Sequence, residues 1–226
     1  MRSIYAEITQ LQKTTNDITK ADWMENPPPY LRAAMMETVE CIDHINSWKW
    51  WKKNQADFGN AAMEMVDVLH FVISQELVSR ECDVDVVGSF IEAQLTEHDN
   101  GASAESQRDY ASINDVMENL AGGFIQRDIN YKQFMQVVNF CGLDANQLCL
   151  WYLGKNALNN FRQANGYKQG SYHKAWFGGE DNDTLLDIIN HQLEATPEGM
   201  SRFDFIYQQL GENYQRALAE KARSSS

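Results

Sequence analysis

The sequence predicts an all-α protein: a helical bundle core with an inserted helical segment and no significant sheet. Three observations lead there. Thirteen glycines and four prolines make up about 8% of the chain, against roughly 12% on average, which is too few for many short strands joined by tight turns. Apolar residues recur at helical three- and four-residue spacing through most of the chain. With 226 residues, 43% hydrophobic and 23% charged, the chain can bury a real core, and wholesale disorder is excluded. One domain spanning 1–226 is expected.

Ile4, Ile8, Leu11 and Ile18 give a first amphipathic helix over 4–20. Pro27, Pro28 and Pro29 then break the chain, because proline lacks the donor a helix interior needs. Leu31, Ala34, Met35, Val39, Ile42 and Ile45 restore the helical period up to Ser47. Asn60 is the expected cap of a third helix running to Ser79, with Met63, Val66, Leu69, Phe71 and Val72 available for burial. From Glu81 to Gln107 the chain is more polar, and His98-Asp99-Asn100-Gly101 reads as a surface loop. Helices follow at Ile113–Arg127, Tyr131–Val138 and Leu148–Arg162. Gly166, Gly170, Gly178 and Gly179 mark a flexible loop, and helices at Thr184–Glu194 and Arg202–Ala219 close the chain. Residues 81–147 carry no motif and are taken as the inserted segment.

The net charge of −13 argues against nucleic-acid partners and anionic membrane surfaces. It leaves room for a small phosphorylated ligand, since bound cations invert the sign of a site locally. Cys41, Cys82, Cys141 and Cys149 show no zinc or disulfide spacing and read as free thiols. No signal-peptide pattern opens the sequence, and the apolar run near Val66–Ile73 is too short to span a bilayer. A cytoplasmic protein is expected.

Two carboxylate pairs, Glu37/Glu40 and Glu64/Asp67, are spaced i, i+3 and so project from one side of their helices. A single such pair is commonly a solvated helix edge. Both of these sit among apolar neighbours, Met36, Val39 and Cys41 around one and Met63, Met65, Val66 and Val68 around the other. Ionised carboxylates ~4 Å apart repel by about 4 kcal/mol at an effective dielectric near 20. Divalent cations with oxygen ligands offset that cost, and Mg2+ or Mn2+ suits an all-carboxylate site better than zinc. His70, three residues after Asp67, and His44, four after Glu40, are placed to extend a metal site, though a place behind the ligands or in the core is the preferred reading of each.

Lys155, Asn159 and Arg162 form one stripe of a helix, followed by Gly166-Tyr167-Lys168-Gln169-Gly170-Ser171-Tyr172-His173-Lys174. Cations, amides and hydroxyls around a glycine-bracketed loop suit a polyphosphate clamp; a plain helix surface and loop is the competing reading. Half of the six tryptophans lie in Trp48-Lys49-Trp50-Trp51-Lys52, a cluster suited to a core, an interface or a base-stacking wall.

Together these stretches resemble the dimeric all-α dUTPases within the all-α NTP pyrophosphohydrolase superfamily. The resemblance rests on Glu37-x-x-Glu40, the 48–52 tryptophan stretch and Glu64-x-x-Asp67-x-x-His70-Phe71. It continues in Lys155-Asn156-Ala157-Leu158-Asn159-x-Phe161-Arg162-Gln163 and Gly166-Tyr167-Lys168-x-Gly170-x-Tyr172-x-Lys174-x-Trp176. Leu11-Gln12-x-x-x-Asn16 is similar to the family's uracil-reading helix. Met36 stands where many relatives in the wider superfamily have a second glutamate, a departure that favours the dUTPase branch.

The resemblance implies hydrolysis of dUTP, and also dUDP, to dUMP, with pyrophosphate released from dUTP and attack at the β-phosphorus. It implies that Glu37, Glu40, Glu64 and Asp67 hold two or three Mg2+, with Mn2+ as a substitute, and that Glu37 is the base. Lys155, Arg162, Tyr167, Lys168 and Lys174 would grip the phosphates. Gln12, Asn16 and Asn159 would read the base, with Trp48 and Phe71 as walls, in a homodimer that closes over its nucleotide. Competing readings are a pyrophosphohydrolase for another nucleotide such as dCTP, a di-iron carboxylate protein and a non-catalytic helical adaptor. The di-iron reading needs two Glu-x-x-His motifs, and Asp67-x-x-His70 is the nearest approach.

Overall fold

Ser3 starts the first helix by accepting a hydrogen bond from the Ala6 N–H at 3.4 Å, and α1 runs Ile4–Thr19. In the computed structural model, which describes residues 3–52, 55–104 and 108–224, the three prolines lead into α2, Tyr30–Ile45. Asn46, in the left-handed conformation, ends it. Asp57, not Asn60, caps α3, Phe58–Ser79. Its carboxylate accepts both from the Asn60 backbone N–H at 3.0 Å and from the Asn60 side-chain amide at 2.7 Å. A carboxylate at the cap also complements the positive helix terminus. Helix α4, Val84–His98, occupies the more polar first part of the expected helical insertion. Its buried face is only Val87, Gly88, Ile91 and Leu95, too narrow a stripe to stand out among polar neighbours. Then come α5 (Tyr110–Ile125), α6 (Tyr131–Cys141) and α7 (Ala145–Ala164). The glycine-rich loop contains a two-stranded antiparallel hairpin, β1 Ala175–Trp176 and β2 Gly179–Glu180. Helices α8, Asp181–His191, and α9, Arg202–Ser224, complete the chain. The protein is all-α, about 70% helical, and the hairpin is the only sheet among the described residues.

The chain divides into two compact units within α7, between Tyr152 and Leu153. In the first, α3 is the central element: Met65, Val66, Val68, Leu69, Ile73 and Leu77 are fully buried. Each such side chain contributes about 1.5–3 kcal/mol of burial free energy. Helix α2 packs along α3, α5 packs on α2 and α6, and α4 packs on α1. The α1–α4 approach depends on Gly88, where a Cβ would stand 2.8 Å from the Ala6 Cα. Residues 84–98, 110–125 and 131–141 therefore pack directly against α1, α2 and α3; positions 105–107 of the expected insertion lie outside the described residues.

The second unit is built on α8, α9 and the hairpin around an aromatic cluster. The Phe161 ring meets Tyr207 and Tyr214 edge-on at 5.5 Å and Trp176 at 6.2 Å. Leu185, Ile188, Ile206 and Leu210 are fully buried beneath it.

All four cysteines are free. Among the described residues, no helix is long and apolar enough to cross a membrane. The Trp48, Trp50 and Trp51 rings lie on the surface, at 45%, 88% and 60% exposure, so this cluster is not part of the core.

Candidate active site

The packing of α2 along α3 brings carboxylates from both helices together. One oxygen each from Glu37, Glu40 and Glu64 lies within 4.8 Å of the others. Glu37 and Glu64 are partly buried and Glu40 is exposed. Asp67, one turn further along α3 and also partly buried, is not in this trio; its charge is felt by the Tyr152 phenol. His44 sets its Nε2 3.3 Å from Glu64 Oε1. The trio offers oxygen donors only, the chemistry that hard cations such as Mg2+ and Mn2+ select. Oxygens around Mg2+ stand about 3–4 Å apart, and Glu37, Glu40 and Glu64 are the residues that could hold such an ion.

A cavity of about 450 Å3 opens in the same unit, lined by Gln12, Thr15, Asn16, Pro28, Pro29, Met36, Phe71 and Ser74 among others. Its volume suits a nucleoside-sized ligand, and apolar walls with a few convergent amides are what such sites show. Helix α1 delivers Gln12 and Asn16, four residues apart on one face, and both are buried. Phe71 lines the same cavity. Trp48 does not line the cavity; its Nε1–H donates to Asp43 at 3.2 Å and its ring meets Trp51 edge-on.

Behind the amides lies a polar network that the motif reading did not identify. The Tyr152 hydroxyl donates to Gln12 Oε1 at 2.5 Å, and His70 Nδ1 lies 2.7 Å from the same oxygen. The Tyr152 and His70 rings stack with centroids 3.9 Å apart. Gln12 Nε2 donates to Asn16 Oδ1 and to Ser74 Oγ, both at 2.9 Å. Burial, helped by the Asp67 charge, pushes the Tyr152 phenol well above its ordinary pKa, so it remains a donor. Nothing in the sequence beyond their place in helical stretches marks Ser74 or Tyr152.

In the second unit, α7 carries Lys155 and Arg162, both buried, and Asn159 between them. Arg162 is held by its own unit. Its Nε donates to Asp181 Oδ2 at 2.8 Å and its Nη2 to Asp181 Oδ1 at 2.7 Å. Nη1 reaches Asn159 Oδ1 at 3.3 Å. Burial, the largest single influence, pulls the guanidinium pKa down, but the hydrogen bond and charge of Asp181 outweigh it, and the net shift is upward. Asp181 also accepts from the Tyr172 hydroxyl at 2.8 Å. Tyr167 and Lys168 are exposed in the loop, and Lys174 pairs with Glu180 at 2.6 Å. Asp181 escaped the sequence reading because an Asp opening a helix looks like an ordinary first-turn acid.

No curated protein matches the chain. The family model described as dUTPase matches residues 4–167, about three quarters of the chain, from the start of α1 to Tyr167 in the glycine-rich loop. This span includes both carboxylate pairs and both α1 amides, and the chain belongs to the dUTPase family, enzymes that hydrolyse dUTP to dUMP.

Proposed function

We propose that this dUTPase depends on Mg2+ held by Glu37, Glu40 and Glu64, with Asp67 as a fourth ligand. We further propose two or three ions per site, Mn2+ as a substitute, dUDP as a second substrate, and a cytoplasmic homodimer. The convergence of three carboxylates from two helices is the observation that carries the metal reading. Three like charges this close need a cationic partner. Bound there, Mg2+ offsets phosphate charge and lowers the pKa of water.

The chain's own groups supply the rest. Glu37 takes the proton from the attacking water as general base. Lys155, Arg162, Tyr167, Lys168 and Lys174 donate to phosphate oxygens, where charge-assisted bonds are strongest. Arg162 and Lys174 then exchange Asp181 and Glu180 for phosphate, or share their donors between the two. The α1 amides form the base-reading end of the 450 Å3 cavity, with Phe71 as its wall, and Asn159 completes the contacts to base and sugar. Reversed donors and acceptors on cytosine leave buried amides unpaired, a rejection worth ~10⁴-fold.

The test is a nucleotide panel with and without metal. With Mg2+, dUTP should be cleaved to dUMP and pyrophosphate far faster than dCTP, dTTP or UTP. Equal rates on all four would overturn the base-reading assignment, and undiminished turnover in excess chelator would overturn the metal assignment.

A further inference from the structure

A carboxamide is a two-faced reader. In one orientation its oxygen takes the N3–H of uracil and its N–H reaches a keto oxygen. Turned over, its oxygen takes the amino group of cytosine and its N–H reaches cytosine N3. An amide free to turn therefore reads both bases, and discrimination requires that it be held.

The network behind the cavity holds it. Ser74 Oγ lies 2.9 Å from the His70 carbonyl oxygen, a group that can only accept, so the single hydroxyl proton is committed there. The longer 3.3 Å contact from Ser74 Oγ to Asn16 Oδ1 is the weaker alternative. Ser74 Oγ can then only accept, and it faces Gln12 Nε2 at 2.9 Å and Asn16 Nδ2 at 3.2 Å. This places the nitrogen of both amides on the Ser74 side. Gln12 Nε2 gives its other proton to Asn16 Oδ1 at 2.9 Å. Gln12 Oε1 faces the opposite way, where the Tyr152 hydroxyl donates at 2.5 Å and His70 Nδ1 lies at 2.7 Å. Gln12 is thus engaged at both ends, while Asn16 retains one N–H and one lone pair at the cavity. Turning Asn16 over would set its NH2 against the NH2 of Gln12. Ser74 and Tyr152 are fully buried and Gln12 and Asn16 nearly so, each at 5% exposure, so the mismatch would not be relieved by water.

We propose that Ser74 and Tyr152 are positioning residues for base selection, acting through Gln12 to fix the orientation in which Asn16 meets the base. This rests on the base-reading role proposed for the α1 amides.

The readout is the ratio of kcat/KM for dUTP to that for dCTP, measured on variants whose helical circular dichroism matches wild type. Ser74→Ala removes the directing hydroxyl, and the ratio should fall at least tenfold. Tyr152→Phe keeps the ring stacked on His70 but removes the donor to Gln12, and the ratio should fall by a smaller factor. A purely structural role would lower both substrates alike. Wild-type preference for dUTP with a ratio unchanged within twofold in either folded variant would overturn this inference alone. A wild-type enzyme indifferent to the base would overturn the base-reading assignment and this inference with it. Should Ser74→Ala not fold, Tyr152→Phe decides.

Discussion

Asp181, fully buried, holds the Arg162 guanidinium through two hydrogen bonds of 2.8 and 2.7 Å. The residue is the first of α8 and Arg162 lies near the end of α7, so this pair ties two helices of the second unit to each other. Tyr172 adds a third bond to the same carboxylate, and burial, helped by that bond, raises its phenol pKa far above the ordinary range. Asp181→Ala would leave a buried guanidinium uncompensated, and losses of that kind run to about 3–5 kcal/mol. Thermal unfolding should show the drop, and the Asp181→Ala/Arg162→Ala double variant should lose less than the sum of the single changes. Additive losses would mean the pair contributes no coupling.

The carboxylate trio predicts opposite responses to metal and to neutralisation. Glu64→Gln removes one of three neighbouring charges and should abolish dUTP turnover while leaving the helical circular dichroism intact. Added Mg2+ should raise the unfolding temperature of the wild type, because a ligand that binds the folded state stabilises it by mass action. The variant should show little of that rise. Retained turnover in Glu64→Gln would remove this residue from the ligand set.

Lys155 is buried at 7% exposure on α7, a place where a lysine is kept only when something offsets the burial of its charge. If Lys155 has the phosphate-donor role proposed for it, its removal should act on the charged end of the substrate. Lys155→Ala should weaken triphosphate binding by ten- to a hundredfold and deoxyuridine binding by much less, measured by calorimetry in the presence of a divalent cation. Equal losses for the two ligands would count against the clamp.

The elements the sequence reveals are those whose buried face is broad or whose breaks are chemically abrupt. The proline triplet announces the start of α2, and the apolar run from Met63 to Leu77 announces α3. The bounds of α4 were not legible because one narrow stripe, Val87, Gly88, Ile91 and Leu95, makes its whole buried face. Spacing alone put Glu37 with Glu40 and Glu64 with Asp67, but only the crossing of α2 on α3 decides that Glu37, Glu40 and Glu64 form the trio. The partners of the α1 amides were hidden for a different reason. Ser74 and Tyr152 lie 58 to 140 residues away from the groups they bond, and no local pattern marks a hydroxyl whose importance is the direction of one proton.

Asp99 offers a pH prediction with a definite sign. Its carboxylate joins the end of α4 to the start of α7, accepting from the Gly101 N–H and the Ala145 N–H at 3.0 Å each and from the Asn139 amide at 2.8 Å. Burial, the largest single influence, raises its pKa, but the three hydrogen bonds outweigh it and the net shift is downward. A carboxyl depressed on folding stabilises the native state above its unfolded pKa, near 3.9, and that contribution is lost as pH falls through the lower folded value. Asp99→Asn should therefore cost about 1 kcal/mol at pH 7, allowing for its partial exposure. The gap between variant and wild type should narrow as pH drops below about 4. Urea unfolding at pH 7, 5 and 3 checks it: a gap that stays constant across the three would show that the Asp99 charge does not hold this junction together.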